Sequence, residues 1–167
     1  MSMKIIKSDE NLKPSIKKIY NILEQQEPKI EIIDLSQSGH TAKMAADALL
    51  VTTNRICKSL IIKCDDNFFL CLVNGDSKLD FKKIQAITKA KQTGMATADE
   101  VKEVTGISIG GVSPVGLKDD LKCIIDDTLN SFSSIFCAAG AAELVFEIEP
   151  TRLQNLTNGQ FEDIIKS

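Results

Sequence analysis

The chain has no tryptophan, one tyrosine and one histidine in 167 residues. With so few flat side chains, a stacking platform for unpaired bases is disfavoured. A Ser–His–Asp triad would have to use His40, and no serine and aspartate cluster gathers around it in the pattern. The G-x-S-x-G elbow is missing, and so are the Walker and dinucleotide fingerprints. The five cysteines (Cys57, Cys64, Cys71, Cys123, Cys137) form no C-x-x-C pair. Their odd number and their place inside apolar runs read as buried, reduced thiols of an intracellular protein. A structural zinc site is not expected, and no metal or organic cofactor is implied. No apolar run approaches a membrane span, and the opening Met1-Ser2-Met3-Lys4 starts no secretory leader, so a cytoplasmic protein with no membrane partner is expected. Basic excess is lacking too. A net charge of −3 argues against broad binding to DNA or other nucleic acid, while leaving room for a local basic patch.

What is present is ordinary material for a core. Hydrophobic residues make up 43% of the chain and charged residues 26%, which fits one globular domain over 1–167. Leu12, Ile16, Ile19, Tyr20 and Leu23 fall at helical spacing over 11–26, and 29–35 alternates as a strand. Residues 41–50 read as an alanine-rich helix capped by Thr41. Apolar runs at 59–64 and 68–73, separated by Asp65-Asp66-Asn67, predict a hairpin. Asp80 caps a helix to about Lys89, and Thr97 with Glu100 forms a capping box for a helix that Gly106 ends. Strands are expected over 121–125, 134–138 and 143–148, and a last helix over 151–156 with Pro150 in its first turn. Hairpins mixed with single helices indicate an α+β domain around a mixed sheet. No internal repeat or low-complexity segment interrupts it.

Two features carry chemistry. One is a lysine at the head of an apolar strand, Ile56-Cys57-Lys58-Ser59-Leu60-Ile61-Ile62. The other is the loop Gly110-Gly111-Val112-Ser113-Pro114-Val115-Gly116, in a stretch from Gly94 to Gly116 that holds five of the nine glycines. A fixed cation and approachable backbone amides together would polarise a carbonyl or hold an anion. Each has a plainer reading, as a solvated strand-end lysine and a tight connection. Asp126 and Asp127 could meet a substrate ammonium or simply cap a turn. Lys82, Lys83, Lys89 and Lys91 could contact phosphate or form a solvated face. With no triad, an enzyme built on these residues works by positioning and polarising.

Taken in order, these fragments resemble the YbaK/ProX family of aminoacyl-tRNA deacylases, a domain also inserted in many bacterial prolyl-tRNA synthetases. The resemblance covers 41–156 and leaves 1–40 as an unmatched N-terminal helix and strand. It is carried by Thr41, Ile56, Lys58-Ser59-Leu60, Asn74-Gly75-Asp76, Lys78-Leu79-Asp80, Met95-Ala96, Glu100-Val101 and Thr105-Gly106. It continues through Gly110 to Gly116, Ile125-Asp126, Ala139-Gly140 and Leu153. It implies a mixed, mostly antiparallel, barrel-like sheet flanked by helices. It also implies hydrolysis of the ester joining a wrong amino acid to tRNA. Lys58 would be the key functional residue, with Gly110 and Gly111 as carbonyl-holding backbone. Thr41, Ser59, Val112, Ser113, Pro114, Asp126 and Gly140 would shape the substrate pocket. The tRNA's terminal ribose hydroxyl would help activate water. Implied partners are the 3′ end of an aminoacyl-tRNA and prolyl-tRNA synthetase, with tRNA for proline bearing a wrong small amino acid as the target. A module of the same fold that binds tRNA or synthetase without hydrolysis is the alternative. Oligomeric state is not legible.

Overall fold

A computed structural model describes residues 3–167; Met1 and Ser2, the start of the segment read as carrying no leader, lie outside the described residues. Strand β1 (Lys4–Ile6) leads into helix α1 (Pro14–Glu24), then β2 (Ile32–Asp34) and α2 (Ala42–Leu49). The hairpin β3 (Ile56–Cys64) and β4 (Asn67–Asn74) is followed by α3 (Phe81–Thr88), β5 (Thr93–Met95) and α4 (Ala98–Thr105). Beyond the glycine loop come β6 (Lys122–Asp126), β7 (Ile135–Ala138), β8 (Leu144–Ile148), α5 (Pro150–Thr157) and β9 (Gln160–Glu162).

The predicted caps take their places. The Thr41 Oγ1 accepts from the Met44 N–H, and Asp80 accepts from Lys82 and Lys83. Thr97 and Glu100 close a reciprocal box, and Gly106 ends α4 at φ 77°. Strand 29–35 shortens to β2, because the Ile30 N–H turns back to the Leu23 carbonyl at the end of α1. Strands β1, β5 and β9 were not expected. At three residues each they carry no readable period, and tertiary pairing alone makes them strands.

The elements form the expected α+β domain around one mixed, mostly antiparallel sheet of nine strands among the described residues. Its order is β1-β2-β8-β7-β3-β4-β6-β9, with β5 on β3. β3 and β4 pair antiparallel from Cys57↔Asn74 to Cys64↔Asn67, while β3–β7, β4–β6 and β6–β9 are parallel. The main core packs α1 residues Ile16, Ile19 and Leu23 against Cys57, Ile61, Leu72, Ile125 and Phe146. A second cluster lies under α3 and a third under α2.

One consequence of the register positions the site. On the edge of β3 away from β4, β7 pairs at Ile56 and Cys57, and β5 pairs from Ile62 to Cys64. The Ala96 N–H reaches the Ile61 carbonyl. Among the described residues, 58–60 therefore have no strand neighbour on that edge, and the sheet opens there.

Candidate active site

A cavity of about 280 Å³ occupies this opening. That is near the small end of ligand sites, which run about 300–1,000 Å³. Because successive side chains of a strand point to opposite faces, a ligand set against the bare edge of β3 meets Lys58 and Leu60 on one side and Ser59 and Ile61 on the other. Helix α2 and the turn before it contribute His40, Thr41, Ala42 and Ala45. The glycine loop contributes Ile109, Gly110 and Val112, and β7 and β8 contribute Phe136, Ala138 and Val145. Among the described residues, no carboxylate lines the wall.

The loop keeps its shape for identifiable reasons. The Gly111 N–H donates to the Ser108 carbonyl at 3.1 Å, closing a turn in which Gly110 holds φ 93°. A Cβ on Gly111 would lie 2.6 Å from the Ala141 Cα, so the loop packs directly on the 139–142 turn. The Gly140 N–H donates to the Gly111 carbonyl at 2.9 Å. The buried Ser113 Oγ accepts from the Val115 N–H.

Of the residues expected at a site, Lys58, Ser59, Thr41, Gly110 and Val112 come together on the wall. Gly111, Ser113, Pro114, Asp126 and Gly140 do not reach it. Gly111, Ser113 and Gly140 support the loop from behind, and the Gly111 N–H is already engaged. Pro114 faces a separate cleft beside Lys18 and Ile22. Asp126 is fully buried, so it meets no substrate ammonium in this structure. Its carboxylate accepts from the Asn74 N–H and Nδ2 and from the Thr128 N–H and Oγ1. Asn74 Nδ2 also donates to the Ser77 Oγ, and the Ser77 carbonyl accepts from Lys58 Nζ at 2.6 Å. Asp126 thus positions the lysine through the Asn74–Ser77 turn. The α3 lysines stay off the wall, and Lys83 is paired with Asp163.

Burial is the largest influence on the Lys58 ammonium and lowers its pKa; Asp76 pushes it back up, Lys78 lowers it, and Asp126 raises it. A lysine that holds its proton more weakly in the folded state than in the unfolded chain destabilises the fold below its lowered pKa. That burden fades as pH rises toward the unfolded value. Following the Lys58 side chain by NMR should show its proton leaving below the ordinary lysine value of about 10.4. Asp76→Asn should move the midpoint lower still; an upward move would contradict the charge arrangement.

The buried cysteines are free, as expected. Cys57 lines the cavity, but a hydrogen bond with Cys137 and burial push its thiol well up, and burial holds Cys123 up at about 12. A thiolate nucleophile is therefore not available at neutral pH. Ser59 Oγ is buried without a hydrogen-bond partner. Leaving such a group unpaired costs about 1–3 kcal/mol. His40, Ile109, Met95 and Phe136 joined the wall without a local signal in the sequence. They arrive from four separate segments, and only the sheet's opening brings them together.

Fold and cavity define a class: a small α+β domain with a recess in the opening of its sheet, lined by one lysine and a glycine turn. The chain belongs to the aminoacyl-tRNA editing domain family, whose model matches residues 36–156, starting slightly before the segment first matched. It is 31% identical over 144 residues to an uncharacterized protein, YwhH, of Bacillus subtilis (strain 168), covering 86% of this chain and 91% of that one. It is 34% identical over 119 residues to a proline–tRNA ligase of Kosmotoga olearia, covering 71% of this chain but 20% of the ligase. A crystal structure of a candidate trans-editing enzyme for prolyl-tRNA synthetase superposes with a TM-score of 0.87 at 32% identity, covering 94% of this chain and all of the other. Among the described residues, no helix is long and apolar enough to cross a membrane.

Proposed function

We propose that the chain is a trans-acting aminoacyl-tRNA deacylase that clears tRNA for proline carrying a wrong small amino acid. The observation that carries the reading is the cavity in the opening of the sheet, where Lys58 and Gly110 flank a mostly aliphatic recess of small volume. The aminoacyl group enters the recess, and the terminal nucleotide stays at the mouth. Water adds to the ester carbonyl, assisted by the ribose hydroxyl of the tRNA itself. The ester C–O bond breaks, the proton goes to the ribose oxygen, and free amino acid and tRNA leave. The Gly110 backbone stabilises the developing oxyanion. Lys58 supplies a point charge to the 3′ end, at carbonyl or phosphate. No protein nucleophile is required, in keeping with the raised Cys57 thiol. Size excludes large side chains, while aliphatic walls separate similar small ones poorly.

Single-turnover deacylation of Ala-, Cys-, Ser-, Thr- and Pro-tRNA bearing the proline anticodon tests this. At least one non-cognate ester should be hydrolysed well above its spontaneous rate while the prolyl ester is spared. Binding of every tRNA with no hydrolysis would overturn the reading in favour of a binding module. Equal hydrolysis of small activated esters without tRNA would move it to another esterase.

A further inference from the structure

We infer that the bare edge of β3 takes the aminoacyl group as a one-residue strand. The Ser59 main-chain carbonyl accepts from its α-ammonium, and the Ser59 N–H donates to its ester carbonyl. The inference rests on the deacylase reading for its ligand. In an antiparallel ladder, successive residues turn their N–H and C=O to opposite edges of the strand. The Ala96 N–H donates to the Ile61 carbonyl on the edge away from β4. Ser59, two residues earlier, therefore turns both its groups to that edge, while Lys58 and Leu60 turn theirs to Val73 and Cys71 of β4. Along the open edge, pairing with β7 stops at Cys57, and pairing with β5 starts at Ile62. Among the described residues, no main-chain group bonds the Ser59 N–H or C=O there. Ser59 lines the cavity and is only partly buried, yet its hydroxyl oxygen is closed to solvent. The surface it presents is therefore main chain and Cβ.

An unpaired strand edge is a template for main-chain pairing. Here the template is one residue long: one donor beside one acceptor. An aminoacyl ester carries the complement, a donating α-ammonium and an accepting carbonyl on adjacent carbons. Among the described residues no carboxylate lines the wall, so an ammonium in the cavity is held by a carbonyl and not by an ion pair. A hydrogen bond from a charged donor is about twice as strong as a neutral one. Thr41 Oγ1 already accepts from the Met44 N–H. Lys58 does not compete for the Ser59 carbonyl. Its side chain leaves the strand on the opposite face from that of Ser59, and its Nζ donates to the Ser77 carbonyl at 2.6 Å. Pairing of this kind reads the part common to every aminoacyl group and leaves the side chain to the aliphatic recess.

The test uses amide analogues that resist hydrolysis, 3′-alanyl- and 3′-(2-methylpropanoyl)-amino-3′-deoxyadenosine; the second has a methyl in place of the ammonium. By calorimetry the protein should bind the alanyl analogue about tenfold or more tighter, the scale of one hydrogen bond to a charged group. Replacing Leu60 by its α-hydroxy acid turns the Ser59 carbonyl into a weaker ester acceptor, and should bring the ratio to within about threefold. The same replacement at Ile62 also removes an N–H from the β4 ladder but lies beyond the opening, and should leave the ratio as it was. In the unaltered protein, followed by NMR, the free Ser59 amide should exchange with solvent faster than those of Lys58 and Leu60. Saturation with the alanyl analogue should slow it about tenfold or more. Equal affinities, no saturable binding of either analogue, a ratio that survives the ester at 60, or a Ser59 amide that the ligand leaves unprotected would each overturn the inference. Hydrolysis of alanyl-tRNA is scored separately. Alanyl preference and Ser59 protection with no ester cleaved sink the deacylase reading and keep the pairing; cleavage without the preference does the reverse.

Discussion

Lys58→Ala should lower single-turnover hydrolysis by about a hundredfold to a thousandfold, the range for removing one preorganised electrostatic group from a water-poor site. The fold should tolerate the change. Lys58 is half-buried, and its one side-chain hydrogen bond goes to the Ser77 carbonyl, which Asn74 also steadies through the serine hydroxyl. Burial makes the cation costly to hold, so removing it relieves a burden. Lys58→Met, which keeps the apolar stem, should match the alanine variant in rate and wild type in melting temperature. Lys58→Arg should rescue little, since a planar fork does not fit where a compact ammonium meets one carbonyl. A loss of less than fivefold would remove Lys58 from the reaction.

Asp126→Ala should destabilise the domain by about 3–5 kcal/mol, the range for removing one partner from a buried charged network. Four donors, two from Asn74 and two from Thr128, would be left without the carboxylate they now share. For a chain of this size that is a fall in melting temperature of about 10 °C or more. Asp126→Asn keeps the shape and one acceptor oxygen, and should lose part of that amount. Any folded fraction should also hydrolyse more slowly, because the Asn74–Ser77 turn that seats Lys58 is no longer held. The expectation that Asp126 meets a substrate ammonium makes the opposite prediction, a wild-type melting temperature with weakened substrate binding. Chemical denaturation of the two variants separates the two roles.

Local chemistry made much of this fold legible. The Thr97–Glu100 box, the Asp80 cap and the Asp65-Asp66-Asn67 turn each act within a few residues, so their residues announce them. Strands β1, β5 and β9 are three residues long and exist because a partner strand is there, which no local pattern encodes. The site divides the same way. Lys58 and the glycine loop stand out by residue type at their places in the chain. The opening between β7 and β5 is a property of register, so the apolar wall and the unpaired Ser59 hydroxyl appear once the sheet is assembled. Residue type alone left Asp126 suited to a ligand or a cap; its burial and the Thr128 N–H that its carboxylate accepts select the cap.

The claim at the centre of this account is that the aminoacyl group binds in the opening of the sheet. Mapping backbone amide shifts in the labelled protein while titrating 3′-alanyl-amino-3′-deoxyadenosine tests it most directly. The predicted result is a set of saturable shifts at Ser59, Leu60, Gly110, Val112 and Thr41, with the α3 lysines and the cleft beside Pro114 unmoved. Shifts concentrated at that cleft, around 116–123, with the edge of β3 silent, would contradict it.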